Sequence, residues 1–277
     1  MILVNSFGGC GTTMFIKHLW FSTFSNGRKV APFLVWDGGR SGSGKDSCRE
    51  FKHISSPPEK DAKKQHTGPL VYGIHHNVHE DHYIRRRGVV EETTNVVIDR
   101  AVYLYVNPLD AILTFFNNLL IADIEGDIVP WAVRHTKSIG GDWQALLQLV
   151  AGSYIKDPSR KSYFMHNVKS GIDTYADCNN DLLGLEYHFD SWTTSNNEYP
   201  ILAVKYESMW EPETLRKISK FLDLRDDFID DFPYKAPRRN ELSSISSITR
   251  SNLQSTYQSL INKINAAPPC MINGEEY

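Results

Sequence analysis

A glycine-rich turn lies between an apolar run and an apolar-periodic helix at the start of the chain, and it constrains the fold more than any other feature. The apolar run is 2–4, the glycines are Gly8, Gly9 and Gly11, and the helix pattern covers 12–24. In α/β proteins such a turn directs several backbone N–H groups at one point, and the helix N-terminus adds partial positive charge. The segment therefore predicts a concavity that can hold a phosphate or a sulfate.

Two interpretations of this turn remain open. It binds an anion with added donors from Thr12 and Thr13, or it is an ordinary strand-to-helix turn with Thr12 as the N-cap. The turn has no lysine, so it is not a G-x-x-x-x-G-K-[ST] nucleotide loop. A second stretch, 39–46 (GRSGSGKD), fits that pattern up to its lysine, but Asp46 replaces the hydroxyl residue and Pro57-Pro58 break the helix that should follow. We interpret the second stretch as a solvated loop.

Strand patterns alternate with helix patterns along the rest of the chain. The segments expected to form strands or helices are strands at 31–36, 70–74, 96–106 and 201–206 and helices at 109–124 and 212–224. This alternation predicts one α/β domain over 1–277, with three layers (α/β/α) and a central parallel sheet. Ligands of such sheets bind at the carboxyl ends of the strands.

Three stretches of this domain carry no clear strand pattern. The polar stretch 37–69 is predicted to be a flexible insertion, and 235–277 is assigned as a C-terminal tail region. The stretch 128–195 reads as mainly helical and is expected to cover an acceptor site as a lid. Within it, His188 and Trp192 are expected to be packing residues, because most aromatics at such spacing belong to a core.

Charge and cysteine usage limit the class of protein. Thirty Lys and Arg against 33 Asp and Glu give a net charge of −3, so nucleic acid and anionic membranes are not expected partners. No run approaches the ~20 apolar residues of a membrane span, and no basic segment of a secretory signal precedes the first apolar run. The cysteines show no zinc-site or disulfide-framework spacing; they are Cys10, Cys48, Cys178 and Cys270. We expect a cytoplasmic protein and leave a homo-oligomer open.

A resemblance to a known family begins after the strand at 100–106. There, Asn107-Pro108-Leu109-Asp110-Ala111 with Thr114 is similar to the 3′-phosphate-binding segment of the sulfotransferase family. Three further segments resemble this family in the right order along the chain: its 5′-phosphosulfate loop at 6–13 (SFGGCGTT), its His-to-Trp segment at 186–192, and its late strand, Tyr-Glu turn and helix at 202–224.

The resemblance implies a P-loop NTPase-like sulfotransferase architecture and 3′-phosphoadenosine 5′-phosphosulfate (PAPS) as the donor. It implies that Asn107 and Thr114 border the 3′-phosphate and that Tyr206 lies near the nucleotide. The acceptor would be a small molecule, a carbohydrate or a lipid with a hydroxyl or an amine. The residues that the resemblance places around the 5′-phosphosulfate are Gly8, Gly9, Cys10, Gly11, Thr12 and Thr13.

A histidine after the strand at 70–74 is the candidate general base. In-line sulfuryl transfer requires removal of the acceptor proton, and His75 aligns best with the histidine that does this in many family members. A partly buried structural histidine is the alternative. His75 forms a cluster with His76, His79 and His82, which also suggests a metal site. Ligation by this cluster would need helical spacing, however, and a strand at this place does not provide it. We therefore expect no metal.

Two cations of the family pattern are replaced in this chain. The loop lysine falls at Gly9, and the arginine before the Asn-Pro pair falls at Val106. The candidates to replace them are Lys17, Arg100, Arg238 and Arg239. Three functions therefore remain open: a PAPS-dependent sulfotransferase, a kinase-like phosphotransferase that uses GRSGSGKD, and a sulfotransferase-shaped binding protein without transfer activity.

Overall fold

The computed structural model describes somewhat more than half of the chain, in several stretches. The described residues are 2–6, 8–12, 14–15, 18–19, 33–35, 61–65, 93–97, 100–117, 121–124, 127–129, 132–133, 136, 140–150, 171–194, 197–224, 227–230, 232 and 242–277. Within these stretches, no helix combines the length and the apolar character that crossing a membrane requires.

One large sheet organises the described part of the chain, where it has six strands in the order β10-β9-β8-β5-β1-β2. The pairs β1–β2, β1–β5 and β5–β8 are parallel, whereas β9 runs antiparallel to β8 and to β10. The protein is thus a mixed α/β structure with a mostly parallel main sheet. The strand bounds are β1 Ile2–Ser6, β2 Phe33–Val35, β3 Asp61–Gln65, β4 Thr93–Val97, β5 Arg100–Tyr105, β6 Ile121–Ile124, β7 Asp127–Val129, β8 Ile201–Lys205, β9 Cys270–Ile272 and β10 Glu275–Glu276.

The strand order reverses between β1 and β5. From β1 the chain moves outward to β2 on one side, and it later forms β5 on the other side of β1 and then β8 beyond it. The register pairs Ser6 with Leu104 and Leu104 with Val204, so the carboxyl ends of β1, β5 and β8 lie at one edge. Connections that diverge from such a reversal leave a crevice between them, which is where ligands of open α/β sheets bind.

Helices follow the strands that end at this edge. The helix bounds are α1 Pro108–Asn117, α2 Trp143–Val150, α3 Leu185–Thr193, α4 Pro212–Leu222, α5 Asp227–Asp230, α6 Ser247–Thr256 and α7 Gln258–Ala266. The helix predicted at 212–224 is confirmed. Pro212 occupies its first turn, as a proline without an N–H can, and Leu215 and Ile218 on its apolar stripe are fully buried.

Helix α3 packs against the aromatic side chains of the main sheet. The Trp192 and Tyr103 rings stack with centroids 5.4 Å apart, and Nδ1 of His188 lies 3.0 Å from the Tyr103 hydroxyl. Both His188 and Trp192 are buried. They are packing residues, as the sequence predicted.

The segment assigned as a C-terminal tail region contributes to the main sheet and to its cover. Beyond α6 and α7, the strands β9 and β10 extend the sheet next to β8. Polar contacts join the two helices to residues 173–190: Tyr257 donates to Asp181 at 2.7 Å, Asn252 donates to Asp177 at 3.0 Å, and Lys263 bonds Asp190. Residues 242–277 are therefore integral to the fold.

Two predicted elements divide differently in the structure. The single strand predicted at 96–106 is two strands: β4 pairs with β3 in a separate sheet, and only β5 joins the main sheet. The helix predicted at 109–124 ends at Asn117, and Ile121–Ile124 forms a strand that pairs with β7. The strand at 96–106 was predicted from its β-branched composition, which favours an extended backbone but does not specify the partner strand.

Two other predictions fall partly or wholly beyond the described residues. The strand predicted at 70–74 lies outside them, and so does most of the insertion predicted at 37–69. Within 37–69, Asp61–Gln65 forms β3. The short strands predicted at 31–36 and 201–206 are confirmed as β2 and β8.

Candidate functional site

The glycine turn after β1 bends through left-handed backbone conformations before a helix begins. The φ angles of Gly8, Gly9 and Gly11 are 92°, 71° and 66°, a region that L side chains rarely adopt. The carbonyl of Gly11 accepts bonds from the N–H groups of Met14 and Phe15 at 2.9 and 3.0 Å. Gly11 is therefore the cap of this helix, in place of Thr12, and the N–H of Thr12 belongs to the first turn, whose amides have no acceptor within the helix.

The exposed residue Gly9 lies directly on helix α1. A Cβ atom at this position would be 3.2 Å from both Cβ and Oγ1 of Thr114 and 3.4 Å from Cα of Ala111. The Thr114 hydroxyl donates to the carbonyl of Asp110 at 2.8 Å. In this rotamer the proton of Thr114 is already used, so the hydroxyl would have to rotate to donate to a phosphate.

The ring of Tyr206 packs on Gly11 of the same loop. A Cβ on Gly11 would lie 2.6 Å from Cε2 of Tyr206, so only glycine permits this approach. Burial raises the pKa of Tyr206 to about 12, and Cys10 and Glu207 add to the shift. The phenol therefore stays protonated near neutral pH. The ring also meets Trp210 in an edge contact with centroids 5.9 Å apart.

Asn107, at the carboxyl end of β5, is the N-cap of helix α1. Its Oδ1 accepts a bond from the N–H of Leu109 at 3.0 Å, and its carbonyl accepts one from Ala111 at 3.2 Å. Its own N–H donates to Oε1 of Glu207 at 3.4 Å. Since Oδ1 is engaged in the cap, Nδ2 is the side-chain group that Asn107 would offer to a ligand.

Cys10 and Thr12 turn inward from the loop. Cys10 is buried, and its Sγ lies 3.3 Å from the carbonyl of Gly8 and 3.4 Å from that of Leu104. These contacts tie the loop to β5. The side chain of Thr12 is also buried. Contacts from this loop to a ligand would therefore come mainly from its backbone.

Two described cations belong to the strands that end at this edge, Arg100 of β5 and Lys205 of β8, and both bond backbone carbonyls outside the candidate site. Arg100 starts β5 at the amino edge of the sheet, where its guanidinium bonds the carbonyl of Phe221. Five residue steps of a strand separate the two ends of β5, which is ~17 Å. Lys205 bonds the carbonyl of Ile264 at 3.2 Å. Of the candidates to replace the family's cations, Arg100 is thus excluded by its position.

Several candidate residues fall outside the residues that the structure describes. These are Thr13, Lys17, 39–46, His75, His76, His79, His82, Arg238 and Arg239. Among the residues that are described, no three His, Cys, Asp or Glu side chains form a group that could hold a metal ion.

Three turns from distant parts of the sequence meet at the strand-order reversal. The loop after β1 touches Thr114 of α1 through Gly9 and Tyr206 through Gly11, and Asn107 bonds the turn after β8. The sequence predicts each of these residues for the site except Glu207, which is recognisable only as part of the Tyr-Glu turn. The signal available was its place directly after a strand that ends at this edge.

No family model, curated protein or solved structure matches the chain. The resemblance to sulfotransferases accordingly rests on four short segments of sequence.

Proposed function

We propose that the protein is a sulfotransferase that moves a sulfuryl group from PAPS to a hydroxyl or an amine. The observation that carries the proposal is the meeting of the glycine loop with Thr114 and Tyr206 at the carboxyl edge. Segments that the resemblance assigns to one nucleotide site lie more than 90 residues apart in sequence, and yet they are in contact. This contact is what a single nucleotide site made of these segments requires, and it supports the proposal.

The fold that accompanies this function is a three-layer α/β/α arrangement of the P-loop NTPase type. Support comes from the parallel order β2-β1-β5-β8 and from the right-handed sense of nearly all parallel crossovers. Because β1 leads outward to β2 and β5 leads outward to β8 in the opposite direction, right-handed crossovers would place the two connections on opposite faces of the sheet.

The residues at the carboxyl edge of the sheet would act by positioning the reactants and by stabilising negative charge, as in phosphoryl transfer. The backbone amides of 9–12 would hold the 5′-phosphosulfate, since the N–H of Gly8 already donates to Oγ of Ser6 at 3.3 Å, and Nδ2 of Asn107 would bond the 3′-phosphate. The acceptor oxygen attacks sulfur as the bond from sulfur to the phosphate oxygen breaks, and 3′-phosphoadenosine 5′-phosphate leaves. His75 would take the acceptor proton. The cytoplasm is the proposed location, and a small molecule, a carbohydrate or a lipid is the proposed acceptor.

A second candidate function is nucleotide binding without transfer, and the geometry of Gly9 favours it. With a φ of 71° and Thr114 3.2 Å from its Cβ position, Gly9 has little room for a lysine. The family's lysine contacts the leaving phosphate, and one charge-assisted hydrogen bond contributes ~1.5–3 kcal/mol. A protein of this kind would bind the donor and release it unchanged.

Calorimetric titration with 3′-phosphoadenosine 5′-phosphate, compared with ATP and Mg²⁺, tests the proposed function without knowledge of the acceptor. We expect the 3′,5′-bisphosphate to bind more tightly than ATP. Tighter binding of ATP and Mg²⁺ would favour the kinase-like alternative, and binding of neither nucleotide would refute the proposal. An assay of sulfuryl transfer distinguishes the enzyme from the binding protein. Transfer activity that is lost in His75→Ala would support the enzyme.

The substitution Asn107→Asp tests the site itself. Asp caps a helix as well as Asn does, but it loses the Nδ2 donor and adds a negative charge. We expect affinity for the bisphosphate to fall about 10- to 100-fold with little change in thermal stability. Ser246→Asp is the matched control, because Ser246 caps α6 through a 3.0 Å bond from the N–H of Thr249. An unchanged affinity in Asn107→Asp would exclude Asn107 from the site.

A further inference from the structure

Glu207 connects two turns of the candidate site that are 100 residues apart in sequence. It lies in a 3-10 helix of one turn, Tyr206–Ser208, that follows β8, and its Oε1 accepts the N–H of Asn107 at 3.4 Å. We infer that Glu207 is a positioning residue, which holds the Asn107 turn in the orientation that the site uses. The part of this inference that concerns a ligand rests on the proposed function.

The contact completes the cap of helix α1. In a capping box, the side chain of the third helical residue accepts the N–H of the cap residue. Here the acceptor for the N–H of Asn107 comes from a neighbouring strand end, through Glu207. The orientation of the cap residue therefore depends on the placement of the turn after β8, as well as on its own helix.

The same turn also contacts the glycine loop. The ring of Tyr206, the residue before Glu207, packs on Gly11. Residues 206 and 207 thus contact the ends of both other strands at the reversal, β1 through Gly11 and β5 through Asn107. A shift of this turn would change the spacing between the loop amides and Nδ2 of Asn107.

A contribution to stability does not explain why the second carboxylate oxygen of Glu207 is buried. Oε2 is buried and has no hydrogen-bond partner among the described residues. An unpaired buried acceptor is unfavourable, and such groups are few in native proteins. Among the described residues, the hydrogen bond of this carboxylate is the one that Oε1 accepts from Asn107, and this points to a role in placing that residue.

Three variants of Glu207 separate positioning from charge. Glu207→Ala removes the contact, and Glu207→Gln keeps an oxygen at the position of Oε1 without the charge. Glu207→Asp keeps the charge but is one methylene too short to reach Asn107. It replaces the alanine variant as the test of the lost contact if the alanine variant does not fold. Glu213→Ala, an exposed glutamate at the start of α4, is the matched control.

Two measurements are made on each variant. Amide hydrogen exchange of the full-length protein without nucleotide reports the order of residues 107–111. Calorimetry reports the ratio of the affinities for 3′-phosphoadenosine 5′-phosphate and for adenosine 5′-phosphate, which lacks the 3′-phosphate. A residue that only stabilised the fold would change both affinities in parallel and leave their ratio unchanged.

We expect Glu207→Ala and Glu207→Asp to speed exchange at 107–111 and to lower the affinity ratio by roughly tenfold, while Glu207→Gln stays within about threefold of the wild type. Unchanged exchange in the alanine and aspartate variants overturns the inference, and so does a parallel loss of both affinities. If the wild type binds neither nucleotide, the proposed function fails, and the exchange result alone decides whether Glu207 holds the turn.

Discussion

At the scale of single residues, the candidate site is formed by glycines whose missing side chains let other groups approach. Gly9 admits Thr114 of helix α1, and Gly11 admits the ring of Tyr206. The positive φ of both residues adds a backbone cost to any substitution. The loop can therefore present backbone amides closely to a ligand, but it has little room for a lysine at position 9.

The substitution Gly11→Ala measures this close approach. We expect it to lower the free energy of unfolding by more than Gly140→Ala does, because both glycines have a positive φ, 66° and 83°, but a Cβ on Gly11 lies 2.6 Å from Cε2 of Tyr206. The backbone strain alone costs about 1–2 kcal/mol in each variant. Urea unfolding gives both values. Equal losses in the two variants would contradict the packing of Tyr206 on the loop.

At the scale of elements, a buried polar cluster attaches the C-terminal helices to residues 171–193. Tyr257 of the α6–α7 junction donates to Asp181 at 2.7 Å and also hydrogen-bonds the hydroxyl of Tyr175. The other oxygen of Asp181 accepts the N–H of Glu186 at 3.0 Å. Because buried polar groups depend on one another for partners, removal of one leaves the others unsatisfied.

We expect Tyr257→Phe to destabilise the protein by about 1–3 kcal/mol, since Asp181 and Tyr175 both lose a buried partner. Tyr187→Phe is the control, because that tyrosine is 61% exposed and should change stability by less than ~0.5 kcal/mol. Chemical denaturation of both variants at one pH makes the comparison. A loss in Tyr257→Phe no larger than in Tyr187→Phe would contradict the role of the cluster.

The pH dependence of the free energy of unfolding should show the raised pKa of Asp181. Burial raises the pKa of Asp181, and its hydrogen bonds from Tyr257 and from backbone amides only partly offset this. A carboxyl whose pKa is raised in the folded state favours folding most at low pH, and this contribution is lost as the pH rises from the unfolded value, ~3.9, through the folded one. Wild-type stability should therefore fall relative to Asp181→Asn as the pH rises. Parallel pH profiles of the two proteins would exclude the shift.

Which elements could be predicted from sequence depended on whether the signal was local. Helix α4 has its own start, at Pro212, and an apolar stripe, so 212–224 was predicted correctly. The hairpin β9–β10 was missed although Asn273-Gly274 is a strong local turn signal. Both turn residues have positive φ, 50° and 89°. The contacts of Gly9, Gly11 and Glu207 join distant segments, and no local pattern specifies such pairings.

At the scale of the whole molecule, strands β9 and β10 complete the described main sheet on the side of β8. Strand β9 pairs with β8, and the turn residue Asn273 bonds both the N–H and the carbonyl of Ile201, at 3.0 and 3.2 Å. Without these strands β8 would become an edge strand with unpaired backbone groups, and its first four residues are buried and apolar. An edge of this kind promotes association between chains.

Deletion of 268–277 should therefore cause aggregation, whereas deletion of 275–277 should leave a folded protein with reduced stability. The shorter deletion removes β10 but keeps β9 on β8. Light scattering coupled to size-exclusion chromatography distinguishes the two outcomes. A monomeric, folded protein after the longer deletion would show that β9 does not protect the edge.

The late position of β9 also has a consequence during synthesis on the ribosome. Strand β1 pairs with β5, which is made about a hundred residues later, and β8 waits for β9, almost seventy residues after it. Long separations of this kind slow folding and prolong the exposure of strand edges. The nascent chain must therefore leave this edge of β8 unpaired until residues 270–272 leave the exit tunnel, and chaperones that bind extended apolar segments would have an opportunity to bind it during that interval.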